Sequence, residues 1–388
     1  MNKKKICLVT AARSEYGLLK WVIQEMHGDA DIKLQLIVTG SHLSEKFGFT
    51  YREIETDGYD IDEKVDMRLN IFNQKEIAVS MGYCAIGMAE CFDRLKPDLL
   101  LVLGDRYELL PICSTALLMD VPIAHISGGD ITEGALDDQV RHSISKMATL
   151  HFPGSEESAK RLVNMGEYPE TVLNVGELGV DGFRMTPLIA KTVLASEYQL
   201  NENAKWVLLT YHPETKISLE RNKEVVIRLI ESMDRIDGIQ VIMSYANADF
   251  GGEVINKVLE DAALSKPSKF KVLKSFGYNR YINMMRHAFC MVGNSSSGLF
   301  EAPSVPLPVI NIGNRQKGRM TSVNVITIDS DFKTLNEYFD LFLSESFRTN
   351  LKSTINPYGD GYASRRIKDA IKSKMEQPLI KKGFYSKS

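Results

Sequence analysis

The chain has 388 residues, a length that favours two domains, and with 44% hydrophobic and 25% charged residues it can bury a core of normal size. A formal net charge of −3, with no like-charge block beyond Lys3-Lys4-Lys5, excludes the electrostatic footprint of a nucleic-acid binder, and no apolar run approaches the roughly 20 residues of a membrane helix. Cys7, Cys84, Cys91, Cys113 and Cys290 form no CxxC pair and the lysine start leads straight into a strand, so a cytoplasmic protein with reduced thiols, no metal site and no signal peptide is expected.

Ile6 to Thr10 is a short apolar run of the kind that forms a buried parallel strand. It is followed by a loop over Ala11 to Tyr16 and by a helical pattern through Leu18, Leu19, Val22, Ile23 and Met26. The alternation repeats with a strand at Leu34 to Val38, a loop around Gly48 and a helix from about Gln74 to Leu95. Strands at Asp98 to Leu103 and Pro122 to Ile126 follow, and then a helix beginning near Leu136 or Asp137. A polar stretch from Gly176 to about Asn203 reads as a connection. Beyond it strands are predicted at Trp206 to Thr210, Ile239 to Ser244, Phe270 to Leu273, Phe289 to Gly293 and Leu307 to Ile312, with helices over Leu219 to Ile236 and Tyr278 to His287. The fold class is therefore α/β, with two Rossmann-like doubly wound domains facing a cleft, the first over 1–176 and the second over 177–363. Ligands of such sheets bind at the carboxyl ends of the strands, which selects the loops 11–16, 104–106, 127–138, 211–215 and 293–301.

The most informative of these loops is Gly293-Asn294-Ser295-Ser296-Ser297-Gly298. A strand delivers it and Leu299 to Ala302 suit the first turns of a helix, where unpaired backbone N–H groups attract phosphate. Glu301 suits a ribose diol, and Arg315, Lys317 and Arg319 add charge for a diphosphate. In the first domain, Arg13 is a phosphate ligand or a solvated loop arginine. Asp105, presented after Gly104, faces the cleft or pairs with Arg106. Asp137 and Asp138 open a helix, where capping accounts for one carboxylate. Asp130 and Glu133 leave a surplus beside Arg141 and His142, a setting that separates carboxyl pKa values into an acid and a base. His212, at a strand exit before Pro213, is favoured as functional. The absence of GxGxxG and GxxxxGK[ST] loops disfavours a nicotinamide dehydrogenase and a P-loop nucleotidase.

Ala12 to Gly17, Val38 to His42, Leu103 to Arg106, Asp137 to Lys146, Tyr211 to Thr215 and the serine loop with Arg315 to Arg319, in that order, resemble the hydrolysing UDP-N-acetylglucosamine 2-epimerases nearly end to end. The resemblance implies a glycosyltransferase-B type fold with UDP held mainly by the second domain and a C-terminal helix, 364–388, returning to the first. It further implies that Ser295 and Ser296 with the helix start hold the diphosphate, Glu301 holds the ribose, Arg13 and His212 reach the phosphates from either side and Arg319 assists closure, with Ser297, Gly298 and Arg315 also among the UDP-binding residues. Asp105, Asp137 and Asp138 fall where the family keeps catalytic carboxylates, with Asp130 and Glu133 beside them. Ser127 stands where some members carry glutamate, so the division of acid and base roles among these carboxylates is left open.

What the resemblance implies chemically is elimination of UDP across C1 and C2, with Asp105 as base, followed by hydration of the glycal with Asp137 or Asp138 as acid. No cofactor is needed, and a homo-oligomer, dimer or tetramer, is expected. The substrate is UDP-N-acetylglucosamine or UDP-2,4-diacetamido-2,4,6-trideoxyglucose, the latter leading to legionaminic acid, with the loop Asp130 to Leu136 as the candidate reader of the difference. A UDP-sugar glycosyltransferase is the rival reading, disfavoured by the acidic surplus, and a non-catalytic nucleotide-sugar sensor is a third.

Overall fold

The computed structural model describes residues 3–69, 74–131, 136–214, 217–246, 251–274, 276–376 and 382–386. They form two compact units, one of residues 1–181 with 358–388 and the other of 182–357. The sequence reading drew these divisions after 176 and 363.

In the first unit, six strands β1 (Lys4–Thr10), β2 (Ile32–Val38), β3 (Glu63–Lys64), β4 (Leu99–Leu103), β5 (Ile123–Ile126) and β6 (Leu150–Phe152) make a parallel sheet in the order β3-β2-β1-β4-β5-β6. Side chains along a strand alternate between faces, and β1 shows what this does. Ile6 and Leu8 join a core with Leu19, Ile23 and Met26 of the helix Arg13–His27, whereas Cys7 and Val9 join Met88, Ile112 and Ile144 on the opposite face. Helices therefore cover both faces, and each fully buried aliphatic side chain contributes about 1.5–3 kcal/mol.

The same unit takes in the last helix, Ala363–Lys374, whose Ile367 and Ile371 pack into the core beside Leu19 and Ile23. Its start is fixed by Asp181, a fully buried carboxylate whose Oδ1 accepts from Ala363 N–H at 2.9 Å and Oδ2 from Ser364 N–H at 2.7 Å. These are the helix-start donors that lack an internal partner.

In the second unit, β7 (Lys205–Thr210), β8 (Ile239–Ser244), β9 (Phe270–Leu273), β10 (Cys290–Gly293), β11 (Val309–Ile312) and β12 (Val325–Ile328) form a parallel sheet in the order β12-β11-β10-β7-β8-β9. Counted from its own first strand this is the same 3-2-1-4-5-6 order as the first sheet, the doubly wound arrangement expected of both halves. Val207 and Leu209 face one core layer, Trp206 and Leu208 the other.

Four features differ from the sequence reading. The connection to Asn203 contains helices at Leu178–Met185 and Lys191–Tyr198. Edge strands β3, β6 and β12 were not predicted; β3 is two charged residues, β6 is buried but only three residues long, and neither β12 nor β3 has the fully buried pattern of a central strand. The loop after β1 ends at Ala12, because Arg13 already opens the helix. The helix after the serine loop is one turn, Ser297–Phe300, followed by a 3₁₀ turn at Ala302–Ser304 that contains Pro303, which has no N–H to continue it.

Candidate active site

In the first unit the candidate site begins at the end of β4. Gly104 turns the chain at φ +85°, and its carbonyl is held by the buried His125 of β5, whose Nε2 donates to it at 2.7 Å. A carbonyl can only accept, so Nε2 carries the proton and Nδ1 is left to accept from Ser145 Oγ at 3.1 Å. Burial lowers the ring's pKa to about 3, in keeping with a neutral, positioning histidine.

Asp105 comes next, and it does not pair with Arg106. Arg106 instead bonds Glu108 Oε1 at 2.5 Å. The partner of Asp105 is Arg141, on the helix Leu136–Met147. That helix buries Val140, Ile144 and the following Ala148 against the sheet, so Asp138, Arg141 and Ser145, at i, i+3 and i+7, share an adjoining stripe. Arg141 Nη2 donates to Asp105 Oδ2, and Nη1 donates at 2.9 Å to both Asp138 Oδ1 and the Asp130 carbonyl. The Arg141 side chain is 6% exposed, against 29% for Asp105 and 25% for Asp138, so a buried cation holds two carboxylates that stay partly open. Asp137 lies beside them with its carboxyl pKa raised, first by desolvation and then by the Asp105 charge.

Three further sequence candidates fare differently. The Asp130 carboxylate is taken up by Ser158 Oγ, and it is the Asp130 backbone carbonyl that accepts from the Arg141 guanidinium. Glu133 lies outside the described residues, as does most of the loop expected to read the substrate. Arg13 reaches Glu53 Oε1 at 3.1 Å with both side chains about half exposed, an ion pair weak enough to exchange for a ligand. Sequence reasoning missed Glu15, whose Oε2 accepts from Ala11 N–H at 2.7 Å and Ala12 N–H at 3.1 Å and whose pKa burial raises to about 7. The signal was its place three residues past Ala12, where a carboxylate can turn back on a helix start.

In the second unit the candidate site is knotted around Asn294. Gly293, at φ +133°, passes so close to β7 that a Cβ there would overlap the Thr210 carbonyl oxygen; only glycine fits. Asn294 N–H then donates to that carbonyl at 3.0 Å. Its side chain clasps the backbone of His212, accepting from His212 N–H at 2.7 Å and donating to His212 C=O at 2.8 Å. Gln316 Nε2 and Arg315 Nη1 donate to the Asn294 carbonyl at 2.8 and 3.2 Å, and Arg319 Nη1 donates to Gln316 Oε1 at 2.5 Å. His212, the serine loop, Arg315 and Arg319 are thus brought together, with Asn294 and Gln316 as members that sequence reasoning had passed over.

The serine loop shapes itself locally, Ser297 N–H lying 3.4 Å from Ser295 Oγ. Gly298 packs against Val309, where a side chain would not fit. Glu301 follows, its Oε2 buried without a hydrogen-bond partner among the described residues, and burial raises its pKa to about 7. A carboxylate oxygen so placed calls for hydroxyl donors.

His42 is a satisfied core histidine that bonds Thr10 and Thr50 through its two ring nitrogens, whereas His151 is buried with Nε2 bonded to Glu167 and Nδ1 without a hydrogen-bond partner among the described residues. All five cysteines are buried and free. No helix among the described residues is long and apolar enough to cross a membrane.

The family model described as UDP-N-acetylglucosamine 2-epimerase matches residues 24–372. The chain belongs to this family. It is 38% identical over 350 residues, 90% of each chain, to the GDP/UDP-N,N'-diacetylbacillosamine 2-epimerase (hydrolyzing) of Campylobacter jejuni. It is 32% identical over 372 residues, 95% of this chain and 96% of the relative, to the UDP-N,N'-diacetylbacillosamine 2-epimerase (hydrolyzing) of Legionella pneumophila. The fold is that of the Neisseria meningitidis UDP-GlcNAc 2-epimerase solved with UDP-GlcNAc, at a TM-score of 0.76 and 18% identity over 95% of this chain and 100% of that one. The resemblance read from the motifs is therefore the correct family, and the two parallel sheets are its fold.

Proposed function

We propose that the protein is a hydrolysing UDP-sugar 2-epimerase whose preferred substrate is UDP-2,4-diacetamido-2,4,6-trideoxyglucose, UDP-N,N'-diacetylbacillosamine, with UDP-N-acetylglucosamine as the weaker alternative. The observation that carries the reading is Arg141, one buried guanidinium holding Asp105 and Asp138 beside the raised carboxyl of Asp137. Neighbouring carboxyl groups, one of which is pushed toward its neutral form by its surroundings, are the setting for a base and an acid. The preference for the diacetamido sugar rests on the two relatives at 38% and 32% identity.

The C2 proton is barely acidic until the C1–O bond to UDP begins to break. Asp105 takes that proton, the C2–H electrons form the C1–C2 double bond, and the C1–O pair leaves with UDP. His212, Arg13, Arg315, Arg319 and the N–H groups around Ser295, Ser296 and Ser297 offset the charge growing on the diphosphate, a term worth about 3 kcal/mol for a well-placed donor. The Glu301 carboxylate accepts from the ribose diol. Water then adds to C1 of the glycal and gives up a proton to solvent while Asp137 delivers a proton to C2 from the opposite face, giving UDP and a free manno-configured sugar; Asp105 then releases the proton it took and Asp137 regains one. Asp138 and the Asp130 carbonyl hold Arg141, and Arg141 holds the Asp105 carboxylate in place to accept the proton.

Cytoplasmic residence and a homo-oligomeric state, dimer or tetramer, belong to the same reading, and light scattering tests the latter. The activity is tested by following UDP release from each of the two UDP-sugars with no acceptor present. Faster release from the diacetamido sugar is expected; release from neither sinks the proposal.

A further inference from the structure

We infer that Glu177 is a substrate-positioning residue at the sugar end of the first unit, its carboxylate accepting a hydrogen bond from the N–H on C4 of the diacetamido sugar. The inference rests on the epimerase reading above and extends it to a residue outside the carboxylate group around Arg141.

Three observations converge on this side chain. Its carboxylate lies over Gly154, at the end of β6, in the space a Cβ would fill, so any larger residue at 154 would evict it. It meets Ser127, at the end of β5, whose Oγ donates to Glu177 Oε2 at 3.4 Å. That bond lies at the long end of the hydrogen-bond range. Ser127 itself is held at φ +57°, a left-handed conformation that a serine adopts only when its surroundings impose it.

The backbone beneath Glu177 is fixed as well. Its N–H donates to the Tyr358 carbonyl at 2.7 Å and its carbonyl accepts from Val180 N–H at 3.1 Å. The carboxylate is therefore presented from a rigid base, as a positioning group requires.

Sheet order then sets its distance from the chemistry. β4, β5 and β6 are consecutive neighbours, and Asp105, Ser127 and Gly154 follow their carboxyl ends. Parallel strands about 4.8 Å apart place the Ser127 and Gly154 positions about 5 and 10 Å along the sheet from Asp105. With Asp105 at C2, that span crosses a pyranose ring to the substituent on C4. A carboxylate accepts and cannot donate, so it suits an amide N–H there.

The test compares Glu177→Gln and Gly154→Ala with the wild-type chain, measuring kcat and KM on both UDP-sugars, UDP affinity by calorimetry, and melting temperature. Both variants are expected to raise KM for the diacetamido sugar about 10- to 100-fold, the range for a hydrogen bond to a charged group, with kcat within about threefold and UDP affinity unchanged. An unchanged KM in Glu177→Gln overturns the inference. So does a loss of UDP affinity or a lowered melting temperature accompanying the kinetic change, which would make Glu177 a structural residue. A wild-type protein that turns over neither sugar sinks the epimerase reading itself. In that event the extra affinity for the UDP-diacetamido sugar over UDP still decides the role of Glu177, since only the inference expects Glu177→Gln to erase it.

Discussion

Asn294 holds the backbone of His212 from both sides, its Oδ1 accepting from the His212 N–H at 2.7 Å and its Nδ2 donating to the His212 carbonyl at 2.8 Å. The two residues are 82 apart in sequence, on the ends of neighbouring strands β10 and β7. The clasp sets where the imidazole stands relative to the serine loop. Asn294→Ala removes two buried bonds, and a stability loss of about 2–5 kcal/mol is expected. Denaturant unfolding reads that loss, and calorimetry should show UDP affinity falling at least about tenfold. Unchanged UDP affinity would show that the clasp does not position His212 for the ligand.

Arg141 is expected to be as important as the carboxylates it holds. Arg141→Ala leaves Asp105 and Asp138 without their shared cation, while Arg141→Lys cannot reproduce the two-sided fork. Turnover should fall at least about a hundredfold in Arg141→Ala, Asp105→Asn and His212→Ala, the size of losing an acid/base or charge-stabilising group. Steady-state rates of UDP release check this. Near-normal turnover in any one variant removes that residue from the mechanism.

If Glu301 holds the ribose as proposed, UDP binding is expected to depend on pH with a definite sign. Its folded carboxyl is raised from 4.5 to about 7 by burial, whereas ribose hydroxyls donate to the charged form. Binding therefore favours ionisation, and UDP affinity should strengthen as pH rises toward about 7 and level off above it. UDP has its own phosphate ionisation near pH 6, so Glu301→Gln is the reference, and its rise in affinity should be shallower. For stability the sign is opposite: a raised folded pKa gives a contribution complete below about 4.5 and lost as pH rises through about 7. Equal pH profiles in the two proteins would exclude Glu301 from the ribose site.

Asp181 anchors the last helix, and its loss should be felt far from any ligand. Asp181→Ala removes the bonds to Ala363 and Ser364 N–H from a fully buried position, at a cost of about 2–4 kcal/mol. A melting temperature within about 1 °C of wild type would show that the helix start is satisfied by other means.

Much of this was legible in the chain. Central strands announce themselves as unbroken apolar runs, so β1, β4, β7 and β10 were found within two residues, and the strand-end loops followed. The two-charge edge strand β3 carries no such signal, and the helices at 178–185 and 191–198 lie in a stretch whose polar and proline residues read as a connection. At the site, residue types were legible and pairings were not. Asp105 and Arg106 are adjacent in sequence, yet a strand end turns them apart, and Asp105 finds Arg141 while Arg106 finds Glu108. Asn294 and Gln316 escaped notice because their work is done on the backbone of other residues, which leaves no pattern in the sequence. Arg141 is the sharpest case: seen as a neighbour of the carboxylates, it proved to be the group that assembles them.

Elimination and hydration through a glycal are open to proton NMR of the protein with UDP-2,4-diacetamido-2,4,6-trideoxyglucose in D2O, without an acceptor. The expected products are UDP and a free manno-configured sugar that carries deuterium at C2. Release of UDP with a sugar that keeps its original C2 proton and configuration would contradict this route, and would mark the protein as a simple hydrolase or an idling transferase.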